Sequence, residues 1–172
     1  MVLVLMGVAG SGKTTVAATL SRRLGWAFQE GDDLHRPASI QKMRAGHPLT
    51  DEDRRPWLDE VAHWIDERLD SDENGLITCS ALKRSYRDVI NRRGEGVTFV
   101  FLMGSPETIA GRLAARHGHF MPSALLQSQF AELEPPESDE PAVTFDVGLP
   151  PGVIAQQIID LLGPSDRWPT RQ

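Results

Sequence analysis

The chain opens on an unbroken apolar run, Val2-Leu3-Val4-Leu5-Met6, whose length and branched side chains predict a strand buried on both faces. The apolar period then changes: Val16, Ala17, Leu20 and Leu24 recur at helical spacing, predicting a helix from Gly12 to Leu24 that Gly25 closes. Trp26 to Glu30 reads as a second strand, and Pro37 to Ala45 as a short helix ending at Gly46. Thr50 with Asp53 resembles a capping box, and Trp57, Val61, Ile65 and Leu69 carry helical spacing to about Asp70. Pro56 lies too deep to be the first residue of a helix begun at Thr50, so a kink or a fresh helix start is expected there. Further strands are read at Leu76 to Ser80, Val97 to Leu102 and Ala142 to Val147. Helices are read from Ser105-Pro106-Glu107, through Leu126, Phe130 and Leu133, and from Val153 to Leu162. The acidic stretch Glu132 to Pro141 reads as a solvated loop. Five strands alternating with helices predict an α/β fold, a five-stranded parallel sheet with helices on both faces.

Composition narrows the class. A length of 172 residues predicts one domain, 1–163, and the poorly periodic stretch 164–172 reads as a loose tail. The formal net charge of −6 argues against nucleic-acid binding, which needs a basic surface, so any anion site must be local. The single cysteine, Cys79, excludes an internal disulfide and fits a reducing cytoplasm. No signal-peptide pattern is read in residues 1–10, and no run approaches membrane-spanning length.

Candidate chemistry begins where the first strand meets the first helix. Gly7-Val8-Ala9-Gly10-Ser11-Gly12-Lys13-Thr14 fits G-x-x-x-x-G-K-[ST]. Glycines let such a loop turn its N–H groups toward phosphate oxygens, and the helix that follows presents its positive end to the same anion. Lys13 is then placed for the β- and γ-phosphates of a nucleoside triphosphate, and the Thr14 hydroxyl for Mg²⁺. Asp32 follows the second strand, on the edge of a parallel sheet where ligands bind, and could orient a hydroxyl or hold a water on the metal. Asp33 and His35 share that turn, where acids also serve as plain turn caps. Arg54 and Arg55 oppose the dipole of the helix they start, which the neighbouring acids or a nearby anion must offset. Lys83, Arg84 and Arg87 form a basic group after the third strand, either an anionic-substrate contact or a solvated helix face. That strand lacks the terminal Asp that many nucleoside triphosphatases use for Mg²⁺, which leaves Asp32 as the better carboxylate for the metal. Arg112 and Arg116 are four apart with no acid placed to pair with them, and His117 to Pro122 suits a flap. His117 and His119 are weak as a metal pair, because the sequence offers no further histidine or cysteine nearby.

Taken together, the cradle, Gly31-Asp32-Asp33-Leu34-His35, Leu49 to Leu58 with Arg54 and Pro56-Trp57, and Cys79 to Asp88 resemble the gluconate kinases of the small P-loop type. Gly118-His119-Phe120-Met121 with Ser128-Gln129-Phe130 looks like that family's lid and its flank, about 117–135. The resemblance implies a fold like that of adenylate and shikimate kinases. It implies ATP- and Mg²⁺-dependent phosphorylation of D-gluconate at the 6-hydroxyl, in a cytoplasmic homodimer. By similarity, Lys13, Asp32 and Arg116 are catalytic, and Asp32 with Thr14 serves the metal. Nucleotide contacts fall on Gly7, Ala9, Gly10, Ser11, Gly12, Lys13, Thr14, Thr15 and Arg112, and acceptor contacts on Asp32, His35, Arg54, Lys83 and His119. The competing readings are a kinase for another small acid or a nucleoside monophosphate, and a slowly hydrolysing nucleotide switch. An Asn-Lys-x-Asp guanine-reading element is absent, against a GTPase switch.

Overall fold

Alternation along the central strand divides the core in two. In β1 (Val2–Met6) no residue is more than 1% exposed. Val2, Val4 and Met6 belong to one buried cluster, whereas Leu3 and Leu5 belong to the other, as successive side chains of a strand must point to opposite faces. The computed structural model describes residues 1–115 and 123–163, with the side chains at 123 and 124 left aside.

The chain passes from β1 through α1 (Lys13–Leu24), β2 (Ala27–Glu30), a 3₁₀ turn (Gly31–Leu34), α2 (Pro37–Arg44) and α3 (Asp51–Asp70) to β3 (Gly75–Thr78). It continues through α4 (Arg84–Ile90), β4 (Val97–Met103), α5 (Pro106–Ala114), α6 (Ser123–Glu132), β5 (Ala142–Asp146) and α7 (Pro151–Leu162). All pairings are parallel and the strand order is β2-β3-β1-β4-β5. β1 thus lies between β3 on one side and β4 on the other, the point where the order reverses and where a crevice opens beyond the carboxyl ends of the strands. Helices α1 and α7 cover Leu3 and Leu5 with Val16, Leu20, Ile154 and Ile158. Helices α3 and α4 cover Val2, Val4 and Met6 with Trp57, Val61, Ile65, Tyr86 and Ile90. Each such aliphatic side chain contributes about 1.5–3 kcal/mol of burial free energy, so the two layers hold the sheet flat against its helices. Among the described residues no helix is long and apolar enough to cross a membrane.

Of the two expectations at Pro56, a fresh helix start is not seen: helix α3 is a single helix with Pro56 inside it. The capping box is complete, with the Thr50 hydroxyl accepting from Asp53 N–H at 3.2 Å and the Asp53 carboxylate accepting from Thr50 N–H at 2.8 Å. A well-capped first turn and the apolar face beyond it carry the helix through the one hydrogen bond that proline removes.

The acidic stretch after α6 is an exposed loop, as expected, and it also acts as a clasp. Arg87, 1% exposed, donates from Nη2 to Glu140 Oε1 at 2.8 Å and from Nη1 to the Glu134 carbonyl at 2.9 Å. Arg84 pairs with Glu137 and Asp139, and its N–H donates to the Glu134 carboxylate at 2.7 Å. A guanidinium at that depth requires a partner, and the acids that read as solvent-facing supply it. The tail 164–172 lies outside the described residues, as do residues 116–122 within the expected lid.

The Arg87 guanidinium holds the Glu140 carboxyl below its ordinary value of 4.5. A depressed carboxyl stabilises the fold above its unfolded-state pKa, and that stability is lost as pH falls through the lower folded-state value. Glu140→Gln is therefore expected to lower the unfolding free energy by about 3 kcal/mol at pH 7 in urea titrations. Wild type and variant should converge as the pH drops below 4.5.

Candidate active site

The cradle leaves β1 at Gly7, whose φ of +135° is one that side chains rarely adopt, and a Cβ there would lie 2.8 Å from the Leu102 carbonyl. The loop is anchored at its start by Gly7 N–H donating to the Ser80 carbonyl, 3.2 Å, beyond the end of β3. Gly12, also left-handed at φ 97°, caps α1, whose first turn carries no acid to spoil its positive end. Lys13 folds back along the loop, donating to the carbonyls of Gly7 at 3.0 Å and Val8 at 3.1 Å. Its charge therefore already stands over the cradle.

A cavity of about 600 Å³ opens between the cradle, the 3₁₀ turn, α2, α3 and α6. Gly10, Gly12, Lys13 and Thr14 line it together with Asp32, His35 and Arg54. Asp33 is exposed and does not line it. The position of Asp32 follows from its neighbour. Gly31 packs so closely on β3 that a Cβ would lie 1.9 Å from the Thr78 carbonyl. The Gly31 N–H donates to Thr78 Oγ1 at 3.1 Å, and its carbonyl accepts from Trp57 Nε1 at 2.7 Å.

His35 stacks on Trp57 with ring centroids 4.2 Å apart. Burial pushes its imidazole below the ordinary value, against the pull of the Asp32 charge, so the ring is neutral at pH 7. Its Nδ1 is buried and has no hydrogen-bond partner among the described residues. The ring thus carries an unused polar atom beside a cavity that it lines.

Arg54 donates from Nη1 to Glu132 Oε2 at 2.6 Å and to the Tyr86 hydroxyl at 2.8 Å. The same hydroxyl donates to Asp51, and Asp51 also takes Lys83 Nζ at 2.8 Å. Lys83 is thereby turned to α3, and it does not line the cavity. Arg84 and Arg87 belong to the clasp. Arg112 reaches back from α5 to lie 3.7 Å from the Cβ position of Gly12 and donates to the Val147 carbonyl after β5, beside the cradle. Thr15 is exposed on the first turn of α1. Arg116, His117 and His119 lie outside the described residues.

Three cavity or network residues escaped the sequence. Glu30, the last residue of β2, accepts from Thr14 Oγ1 at 2.7 Å and from the Thr78 hydroxyl. Its signal was position: it lies two residues before Asp32 at the same strand end. Gln129 accepts the Ala9 N–H at 2.7 Å across 120 residues of chain. Tyr86 joins Arg54 to Asp51, and only the fold brings it there.

Among the described residues no cluster of three or more His, Cys, Asp or Glu is arranged to hold a metal. The oxygen donors of Thr14, Glu30 and Asp32 beside the cradle suit Mg²⁺, which is commonly held by one or two protein oxygens together with phosphates and water. Cys79 is buried, and that burial pushes its thiol up to about 12, which disfavours the thiolate.

A family model described as AAA domain matches residues 2–136. A gluconokinase of Gluconobacter oxydans (strain 621H) is 48% identical over 157 residues, covering 91% of this chain and 88% of that protein. A sugar kinase from Janibacter sp. HTCC2649 superposes with a TM-score of 0.90 at 46% identity, over 99% of this chain and 98% of its own. A gluconokinase from Sinorhizobium meliloti 1021 does so with a TM-score of 0.83 at 46% identity, over 92% and 89%. At this identity over nine-tenths of its length, and with the cradle and Asp32 facing one cavity, the chain belongs to the gluconokinase family.

Proposed function

We propose that the protein transfers the γ-phosphoryl group of ATP to the 6-hydroxyl of D-gluconate, giving 6-phosphogluconate and ADP. The observation that carries this reading is one cavity lined both by a phosphate cradle and by Asp32, His35 and Arg54, in a chain of this family. In such transfer the protein does little covalent chemistry; it aligns donor and acceptor and stabilises charge.

Each residue then has a task. The N–H groups of the cradle and Lys13 bind the β- and γ-phosphates, and Arg112 lies where it can pack on the adenine. Mg²⁺, held through Thr14 and the water shell at Asp32 with Glu30 behind them, would neutralise charge on the β- and γ-phosphates. Asp32 accepts the proton of the 6-hydroxyl and aims it. Neutral His35 offers its unpaired nitrogen to another acceptor hydroxyl. Arg54 takes the carboxylate, or the phosphoryl group as it arrives. Lys83, tied to Asp51, serves the acceptor only by changing partner. Arg116 and His119 stay in the reading as a phosphate contact and an acceptor contact. The reading extends to a cytoplasmic homodimer, on the family resemblance.

Lys13→Ala is expected to cut kcat by ~10²-fold or more with an unchanged far-UV spectrum, because it removes a cation from phosphates whose charge must be stabilised in flight. Asp32→Asn should lower kcat far more than it raises the KM for ATP, and Asp33→Asn should be milder; steady-state kinetics on both decides between them.

The acceptor is tested by ADP release with gluconate, glucose, shikimate and AMP. Binding energy from the remote carboxylate positions the reacting hydroxyl, so glucose, which lacks that charge, should lose kcat as well as affinity. Shikimate and AMP should not react. Turnover of glucose comparable to that of gluconate, or a preference for AMP, would overturn the gluconate assignment.

A further inference from the structure

Helix α6 holds both ends of the cavity at once. Gln129 Oε1 takes the Ala9 N–H of the cradle at 2.7 Å. Three residues on, Glu132 Oε2 takes Arg54 Nη1 at 2.6 Å on the acceptor side. Residues three apart share one face of a helix, so one rigid face carries both grips. Neither grip is a loose surface contact: Gln129 lines the cavity, and the Arg54 and Glu132 side chains are 15% and 26% exposed.

Each grip also has the chemistry of a substrate group. An oxygen on a cradle N–H stands where a phosphate oxygen would bind. A carboxylate on Arg54 stands where the acceptor's own carboxylate would bind, and its charge repels that acceptor as it arrives. The two grips therefore compete with the two substrates, one each.

Resting on the gluconokinase reading above, we propose that Gln129 and Glu132 are positioning residues through which α6 couples the two subsites. Each substrate displaces one grip, and a helix held by one grip yields the other more readily. Both ligands then bind better to the state with α6 released, so each raises the other's affinity by the same factor. ATP without acceptor leaves Arg54 occupied by Glu132, and acceptor without ATP leaves the Ala9 N–H occupied by Gln129. The sign separates this role from a structural one: loss of a structural contact weakens binding, whereas loss of a competitor strengthens it.

Calorimetric titration of the full chain tests this, using gluconate with and without a non-hydrolysable ATP analogue and Mg²⁺. In the wild type the analogue should tighten gluconate binding about 5-fold or more. Glu132→Gln, which keeps the shape and removes the charge, should bind gluconate alone about 5-fold tighter than wild type, with the coupling reduced below about 2-fold. Gln129→Leu should tighten the analogue alone and lose the coupling likewise, with thermal unfolding of both variants recorded to show that they are folded. Variants that bind their ligand no tighter than wild type, or that keep the wild-type coupling, overturn the proposal. A wild type that binds the analogue but gluconate in neither state overturns the acceptor assignment, and the coupling falls with it.

Discussion

The approach of Gly31 to β3 is the constraint on which the acceptor side depends. With 1.9 Å between a hypothetical Cβ and the Thr78 carbonyl, no side chain fits, and the chain leaves β2 pressed against β3. Thr78 secures the junction from the sheet and Trp57 from α3. The turn that follows has no freedom to carry Asp32 elsewhere, and the same Trp57 ring supports His35. Glu30 on the near side of the junction meets Thr14 of the cradle. The ends of β1 and β2, distant in sequence, are thereby fixed together at one edge of the sheet, the kind of rigid placement that phosphoryl transfer requires.

Charge is arranged by the same economy. A chain of net charge −6 must bind two anions, and several of its cations are meanwhile held in local ion pairs. Arg84 and Arg87 are spent in the clasp, Arg92 and Arg93 on Asp66, and Lys42 on Asp53. Lys13 and Arg54 face the cavity, beside backbone N–H groups whose positive field does not depend on side chains at all. A local positive site within an acidic surface disfavours polyanions such as nucleic acid while leaving room for small ones.

The sheet was legible because each strand carries its own signal. β1 and β4 are apolar on both faces, as interior strands of a parallel sheet must be, and α1, α3 and α7 repeat at helical spacing. The placement of the cradle and of Asp32 was legible because each directly follows a strand, β1 and β2, at the carboxyl edge of the parallel sheet. What escaped were partnerships across the chain. The acids of 134–140 form the exposed loop that the sequence suggests, but their hold on the buried Arg87 is invisible there, and Lys83 looks like a free cation until the fold sets Asp51 beside it. Sequence spacing carries no signal for a contact spanning 120 residues, such as that of Gln129 with Ala9. At Pro56 the local rule left a fresh helix start open, and the capping and burial of α3 keep the helix continuous through it.

The cations nearest the acceptor show why a static contact does not by itself define a role. Arg54 at 2.6 Å from Glu132 and Lys83 at 2.8 Å from Asp51 could both be read as scaffold. The two differ in setting. Lys83 and Asp51 lie outside the cavity wall, and Asp51 is 64% exposed, so water can replace either partner at little cost. Arg54 lines the cavity at 15% exposure, hydrogen-bonded also to Tyr86, where losing its carboxylate without gaining another anion would leave a charge poorly solvated. An arginine in that position is held to the presence of some anion but not to one anion in particular. Exchange of Glu132 for a substrate carboxylate is the change that its surroundings permit at least cost, and that difference in setting is the reason for proposing Arg54, before Lys83, as the contact for the acceptor's charge.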